Sequence, residues 1–440
     1  MLRRFELVER GSTPVAEARG AVATFLTMSY ILFANPSILS AAGVPFAPAV
    51  AATAAAAAIC SILMGVVANF PIALASGMGL NAIIAYQVTP VAGSWQAAMG
   101  IVVLDGLLAF ALVVFGLREA VMRAIPLDLR RAIGVGIGLF IALIGLVNAK
   151  LVVVPPGTLK ALATNPLAVM PPVTHGSIRT PEAAVALIGF LITSVLIARR
   201  VTGAIVIGIL ASTALALTIG VAALPKTAWI SVPSFETVGQ ADVVGAIESS
   251  ALPLLFPVLL VDFFDTIGTA TAVADEARLH DERGEIPGIR RVLAVDSLSA
   301  AIGGFFGASS VTSYIESAAG VAEGARTGLH SVVVGLLFAT ALFLTPVFSI
   351  VPPAATAPAL IAVGFLMCQQ ITRIEFQDLD IALPAFVLLV TIPFTYSISH
   401  GIGYGFITFV AIKLLSGKWR SVHPLMYAAA AGFAGYFIFG

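Results

Sequence analysis

Long apolar runs separated by short polar breaks extend along almost the whole chain. They fall at about 20–42, 49–69, 71–90, 97–117, 132–150, 182–198, 201–224, 249–274, 291–308, 309–323, 328–351, 356–371, 381–398 and 400–415, with a further apolar tail over 423–440. Most approach the roughly 20 residues that a helix needs to cross the hydrocarbon of a bilayer. The runs are continuous and do not alternate, so they read as helices and not as barrel strands. Between Gly20 and Leu117 the only charged residue is Asp105. The pattern predicts an all-α polytopic membrane protein of about 14 transmembrane segments.

Two of these segments are too broken to be ordinary spans. Residues 70–81 carry Pro71, Gly77 and Gly79, and residues 307–317 are small, polar and β-branched. Both predict half-helices joined to short extended stretches in mid-membrane. They are segments 3 and 10, seven apart, the spacing expected of two inverted seven-segment repeats. Paired interruptions in matching positions point to a binding site at the bilayer midplane. A faint echo of Gly106-Leu107-Leu108 in Gly335-Leu336-Leu337 has the same spacing of seven segments.

Composition agrees with a membrane setting. Hydrophobic residues make up 59% and charged residues 10%, against about 45–50% and about 25% in soluble domains. With zero net charge and no basic tail, nothing points to a nucleic-acid partner. Cys60 and Cys368 lie in apolar spans and imply neither a disulfide framework nor a metal site. His330, His400 and His423 sit near span ends without ligand spacing, so no metal is expected. No phosphate loop or ATP-hydrolysis signature is present, and no cofactor is expected. Met1–Arg19 reads as a charged start without a cleavable signal peptide. Placing the N-terminus in the cytoplasm puts 19 of the 23 Lys and Arg residues on the inner side, as the positive-inside rule requires. The mixed-charge stretch Asp275–Arg291 reads as a solvated inner loop.

The candidate chemistry lies in the broken and the eighth segments. Residues 262–269 read Asp-Phe-Phe-Asp-Thr-Ile-Gly-Thr inside an apolar run. A carboxylate in hydrocarbon costs from about 3 to more than 10 kcal/mol, so one kept there is a functional-site candidate by default. Asp262, Asp265, Thr266 and Thr269 share one helix face. Asp262 either contacts substrate or pairs with a buried donor such as Asn81 or Tyr30. Asp265 either contacts ligand or hydrogen-bonds the extended backbone and holds Asp262 in place. Glu316 follows a stretch whose amides lack helical partners and is a candidate ligand acid. Asn81 is a ligand or a cap, Tyr314 stacks, hydrogen-bonds through its hydroxyl or packs in the core, and the extended backbone near Gly79 lies beside them. Asp105, Asp296 and Glu323 read as mainly structural, the last two near the inner surface. Several carboxylates, an amide, hydroxyls and an aromatic without Lys or Arg do not suit an anion. They suit a flat heterocycle with several N–H groups, since carboxylates accept paired hydrogen bonds and aromatics stack on rings. A titratable acid such as Glu316 or Asp262 beside the ligand could also carry a coupling proton.

Taken together, Asp262–Thr269, Gly77-Met78-Gly79-Leu80-Asn81 and Ser313-Tyr314-Ile315-Glu316-Ser317-Ala318-Ala319-Gly320 resemble the AzgA-like purine permeases of the nucleobase-ascorbate transporter superfamily. The resemblance runs from Phe25 to about Leu415. It implies a core domain (20–117 and 249–351) moving against a gate domain (132–224 and 356–440) in an elevator-type transporter. It further implies proton symport of adenine, guanine or hypoxanthine across a cell (inner) membrane, by a homodimer in contact with the lipid bilayer. Carried over by position, Asp262 and Glu316 would hold the purine, Asn81 and Asp265 would support or contact it, and the Gly77–Leu80 backbone would line the pocket. Other branches have Gln-Asn where this chain has Glu316-Ser317. A same-fold anion exchanger and a transporter of uracil or xanthine are the alternative readings.

Overall fold

Apolar helices dominate the computed structural model, which describes residues 2–116, 124–155, 157–158, 173–224, 229–279 and 286–439. Arg118, Arg123, Lys160, Lys226 and Arg283, which enter the count of inner and outer charges, lie outside the described residues. Among those described, nine helices are long and apolar enough to cross a membrane, and three further apolar helices are shorter. The first run is two helices, α1 (Pro14–Met28) and α2 (Ile31–Ala41), followed by α3 (Phe46–Leu63). Strand β1 (Leu74–Ser76) leads into the short α4 (Met78–Ile83), and then come α5 (Trp95–Val114) and α6 (Leu127–Asn148). Next are α7 (Pro181–Ala198), α8 (Ala204–Thr218), α9 (Leu255–Ala277) and α10 (Ile289–Phe306). Strand β2 (Val311–Ser313) leads into α11 (Ser317–Ala322) and α12 (Gly328–Ala341). The chain continues through α13 (Pro353–Cys368), α14 (Leu379–Phe394), α15 (Ile398–Leu415) and α16 (Pro424–Phe439).

The helices pack in two groups. In one, α10 lies on α5 and α3, α12 on α3 and α1, and α9 on α5 and α11. In the other, α6 lies on α13 and α14, α7 on α8 and α13, and α15 on α14 and α16. Lipid tails are as apolar as the side chains, so close van der Waals packing through small residues must hold such helices together. A Cβ on Gly106 would fall 2.2 Å from the Ala301 nitrogen, so α5 and α10 nearly touch backbone to backbone. Gly138 and Gly364 do the same for α6 and α13, each facing the other's carbonyl oxygen. Cationic side chains tie helix ends together at one end of the bundle. Arg131 donates to Asp128 and to the Arg373 carbonyl, Lys413 and Lys418 pair with Asp380, and Arg290 donates to the Val114 carbonyl.

The two interrupted segments meet in the first group. β1 and β2 pair antiparallel, Leu74 opposite Ser313, Ala75 opposite Thr312 and Ser76 opposite Val311. Extended backbone here has no helical partners, and hydrocarbon supplies none. The pairing and its neighbours supply them instead. Gly77 donates to the Ser310 carbonyl, Tyr314 to the Ala73 carbonyl, and the Ser61 hydroxyl both accepts from and donates to Leu74. Asn35 and Ser76 donate to the Ala308 carbonyl.

The α5–α10 contact is testable without any substrate. Overpacking a closely fitted core costs about 1–3 kcal/mol or more, so Gly106→Val should lower the melting temperature in detergent by several degrees. Gly134→Ala, where a Cβ meets nothing within 4 Å, should leave it unchanged. Equal melting temperatures for the two variants would contradict this packing.

Candidate functional site

Interruptions in the helices position Tyr30, Tyr314 and Glu316. Pro36 cannot donate to the Leu32 carbonyl, and the first run breaks at Ser29–Tyr30, between α1 and α2. Tyr30, at the break, donates its hydroxyl to Glu316 Oε1 at 2.8 Å. Tyr314 follows β2 and donates its hydroxyl to the Ser76 carbonyl at 2.6 Å, which fixes its ring across the strand pair. Glu316 sits between Tyr314 and the start of α11, and Gly77 between β1 and the start of α4.

These groups enclose a cavity of about 90 Å³. Gly77–Leu80, Ser313–Glu316, Tyr30 and the α9 stripe Val261, Asp265 and Thr269 form one wall, and Ile137 of α6 with Val363 and Met367 of α13 form the other. The first helix group supplies every polar side chain and the second only apolar ones. Asp265 is exposed to this space though it lies mid-helix. One Glu316 oxygen is held by Tyr30, which leaves the other for a ligand. No Lys, Arg or His lines the cavity. A larger cleft, about 530 Å³ between α9 and α16, is lined almost wholly by apolar side chains such as Phe256 and Phe433 and carries no ionisable acid or base apart from the Tyr436 hydroxyl.

The candidate residues divide between the cavity and the interior behind it. Asp262, Thr266 and Asn81, expected at the ligand, are fully buried and do not line the cavity, whereas Asp265, Glu316, Gly79 and Tyr314 do. The cause is the helical period. Val261, Asp265 and Thr269 recur every four residues on one stripe of α9, and Asp262 and Thr266 occupy the neighbouring stripe, turned toward the strands. Thr266 donates there to Asp296 and lies 3.0 Å from the Asp262 carbonyl oxygen. Both amide atoms of Asn81 lack a hydrogen-bond partner among the described residues.

Nor does Asp265 hold the extended backbone. Asp296 Oδ1 accepts from the Ser313 amide at 3.0 Å and the Ser313 hydroxyl at 2.9 Å, while Thr266 donates to Oδ2. Asp296 is therefore buried behind β2, away from the inner surface that its position in the chain suggests. Glu323 does lie at an exposed helix end, 3.0 Å from Arg19. Tyr30 and Thr269 also line the cavity; Tyr30, which the sequence offers as a buried partner for Asp262, donates to Glu316 instead. Ile137, Val363 and Met367 look like any other apolar span residue and give no signal.

A multi-pass membrane carrier, with a candidate site on the seam between two helix groups, is the class of protein to which this fold and cavity point. The chain belongs to the Permease family, whose model matches residues 16–403, and within it to the AzgA-like purine permeases that its motifs resemble. Proteins of this family are transporters, not enzymes. The chain is 39% identical over 434 residues to the Adenine permease AdeP of Escherichia coli (strain K12), covering 98% of this chain and 94% of that protein. It is 39% identical over 448 residues to the Guanine/hypoxanthine permease PbuG of Bacillus subtilis (strain 168), covering 99% of each. Among solved structures, the transmembrane domain of the cyanobacterium bicarbonate transporter BicA superposes with a TM-score of 0.64 at 15% identity, over 89% of this chain and 96% of that one. That likeness concerns the fold alone.

Two substitutions separate the acids. Hydrogen bonds to a charged group contribute about 1.5–3 kcal/mol each, and Asp296 accepts several. Asp296→Ala should therefore lower the melting temperature of the purified protein markedly, while Asp265→Ala should not. A larger loss at Asp265 would reverse the two roles.

Proposed function

We propose that this permease imports a purine nucleobase together with a proton, with Glu316 and Asp265 as the ligand acids. The observation that carries the reading is the cavity itself. Two carboxylates and two tyrosines face a space with no cationic side chain, at the junction of two broken segments. A purine presents adjacent N–H groups that a carboxylate accepts in pairs, and a flat face that an aromatic covers. The names of the relatives make adenine, guanine and hypoxanthine the candidate substrates. Uracil and xanthine are the other nucleobases to compete against them.

An elevator motion is supported by how the walls are divided. All polar contacts belong to the group built from 20–117 and 249–351, here the core domain, and the group built from 132–224 and 356–440 offers a smooth apolar face, here the gate. A site carried whole by one body can slide against the other without breaking its own contacts. This reading gives two inverted seven-segment repeats, a homodimer joined through the gate domains, and a cell (inner) membrane location with a cytoplasmic N-terminus. Anion exchange on the same fold is disfavoured, because two carboxylates would face the anion with no compensating charge.

Uptake of radiolabelled purine in a strain lacking its own purine permeases tests the proposal, with each base as competitor. Glu316→Gln and Asp265→Asn should each weaken uptake about ten- to hundredfold, the loss expected for a charged hydrogen bond, with the protein still in the membrane. Wild-type affinity in both variants would remove these acids from the site.

The proton is tested separately. Uptake should rise as the outside is acidified, which loads the site acid, and collapse with a protonophore. Uptake that ignores both and requires sodium would exclude proton symport.

A further inference from the structure

On the side away from the Lys- and Arg-rich ends, the two helix groups touch through a buried polar contact. Gln87 is 9% exposed, Ser397 6% and Ser399 1%. Gln87 Oε1 accepts from the Ser399 hydroxyl at 3.0 Å and the Ser397 hydroxyl at 3.2 Å, and lies 3.5 Å from the Ser399 amide. Beside it, the Tyr396 ring meets Tyr86 edge-on at 5.5 Å and Phe140 at 4.9 Å.

Both sides of this contact are continuous with the cavity walls. Leu80 and Gln87 lie on one helical path, α4 running on through the π-helical turn Ile84–Val88. That turn arises where Pro90 has no N–H for the Tyr86 carbonyl, and Thr89 donates instead to Ile84. On the facing wall, Ile137 lines the cavity and Phe140 lies one turn further out on α6. Tyr396 and Ser397 sit in the turn between α14 and α15 and Ser399 in the first turn of α15, and the opposite ends of these two helices lie by Lys413, Lys418 and Asp380.

One feature makes the contact reversible. Gln87 Nε2 is buried with no hydrogen-bond partner among the described residues, so the amide is satisfied on one side only, and leaving a buried donor unpaired opposes closure. Tyr396, at the end of α14, holds φ at +54°, a left-handed conformation uncommon for a bulky side chain. The closed contact is thus held by several weak bonds against a built-in opposing cost.

The geometry points to Gln87 and the Tyr396–Ser399 turn as an outer latch, which closes the cavity to the outside and must release for substrate to enter. This rests on the transport reading and on the Lys- and Arg-rich ends facing the cytoplasm. Weakening the latch should shift the population toward the outward-open state.

The test needs no purine and so stands or falls apart from the substrate assignment. In a Cys60→Ala, Cys368→Ala background, Thr269→Cys places a thiol on the cavity wall. A membrane-impermeant thiol reagent is added outside intact cells and the labelling rate is followed. Losing one neutral hydrogen bond changes an equilibrium by about two- to tenfold, so Ser399→Ala and Gln87→Ala should each speed labelling by that factor. Ser399→Ala removes a single hydroxyl, and a melting temperature near that of the parent shows that it folds. Labelling that is unchanged or slower in folded Ser399→Ala overturns the latch. Faster labelling confined to the latch variants, and absent from Ser40→Ala, upholds it.

Discussion

Every backbone N–H and C=O in hydrocarbon must find a partner within the protein, and the centre of this molecule is organised by that requirement. Helices meet it alone. Where segments 70–81 and 307–317 abandon helix, they meet it by pairing with each other, and the surrounding polar side chains satisfy most of what remains. Ser61, Asn35, Ser76 and Tyr314 each reach a backbone group of the strand region. The strand pair in turn opens a gap in the helix lattice, and the cavity is that gap.

The buried acids divide their labour along the same line. Asp296 is turned to the backbone and Asp265 and Glu316 to the cavity. A carboxylate saturated by N–H and O–H donors is a structural anchor, whereas one left open to a cavity is available for recognition. Each role suits the unusual cost of keeping an acid in this environment, and exchanging them would leave a charge without donors or a ligand without an acceptor.

Much of this was legible from residue pattern. Pro71, Gly77 and Gly79 cannot sit quietly in an uninterrupted span, and the small β-branched stretch around Val311–Ser313 favours extended backbone, so both breaks and the acids beside them stood out. The family was readable because three motifs occur in order. What could not be read was which of two adjacent stripes on α9 faces the cavity, because Asp262 and Asp265 are about one turn apart and either stripe presents an acid and a threonine. Asp296 was misplaced because its partners, Ser313 and Thr266, come from other segments. The apolar wall was invisible, since Ile137, Val363 and Met367 differ in nothing from residues facing lipid. Ser397 and Ser399 likewise look like ordinary turn residues until Gln87 is brought against them.

The pairing of Leu74 with Ser313 also bears on how the molecule is made. β2 leaves the ribosome roughly 240 residues after β1, which at 5–20 residues per second is a delay of about ten to fifty seconds. Throughout that interval the first broken segment is already in or at the membrane with its extended backbone unpaired. It must wait at the interface, stay helical, or be shielded by whatever inserts the chain. The cavity therefore cannot begin to form until β2 has been made, and no amino-terminal fragment ending before β2 can contain it.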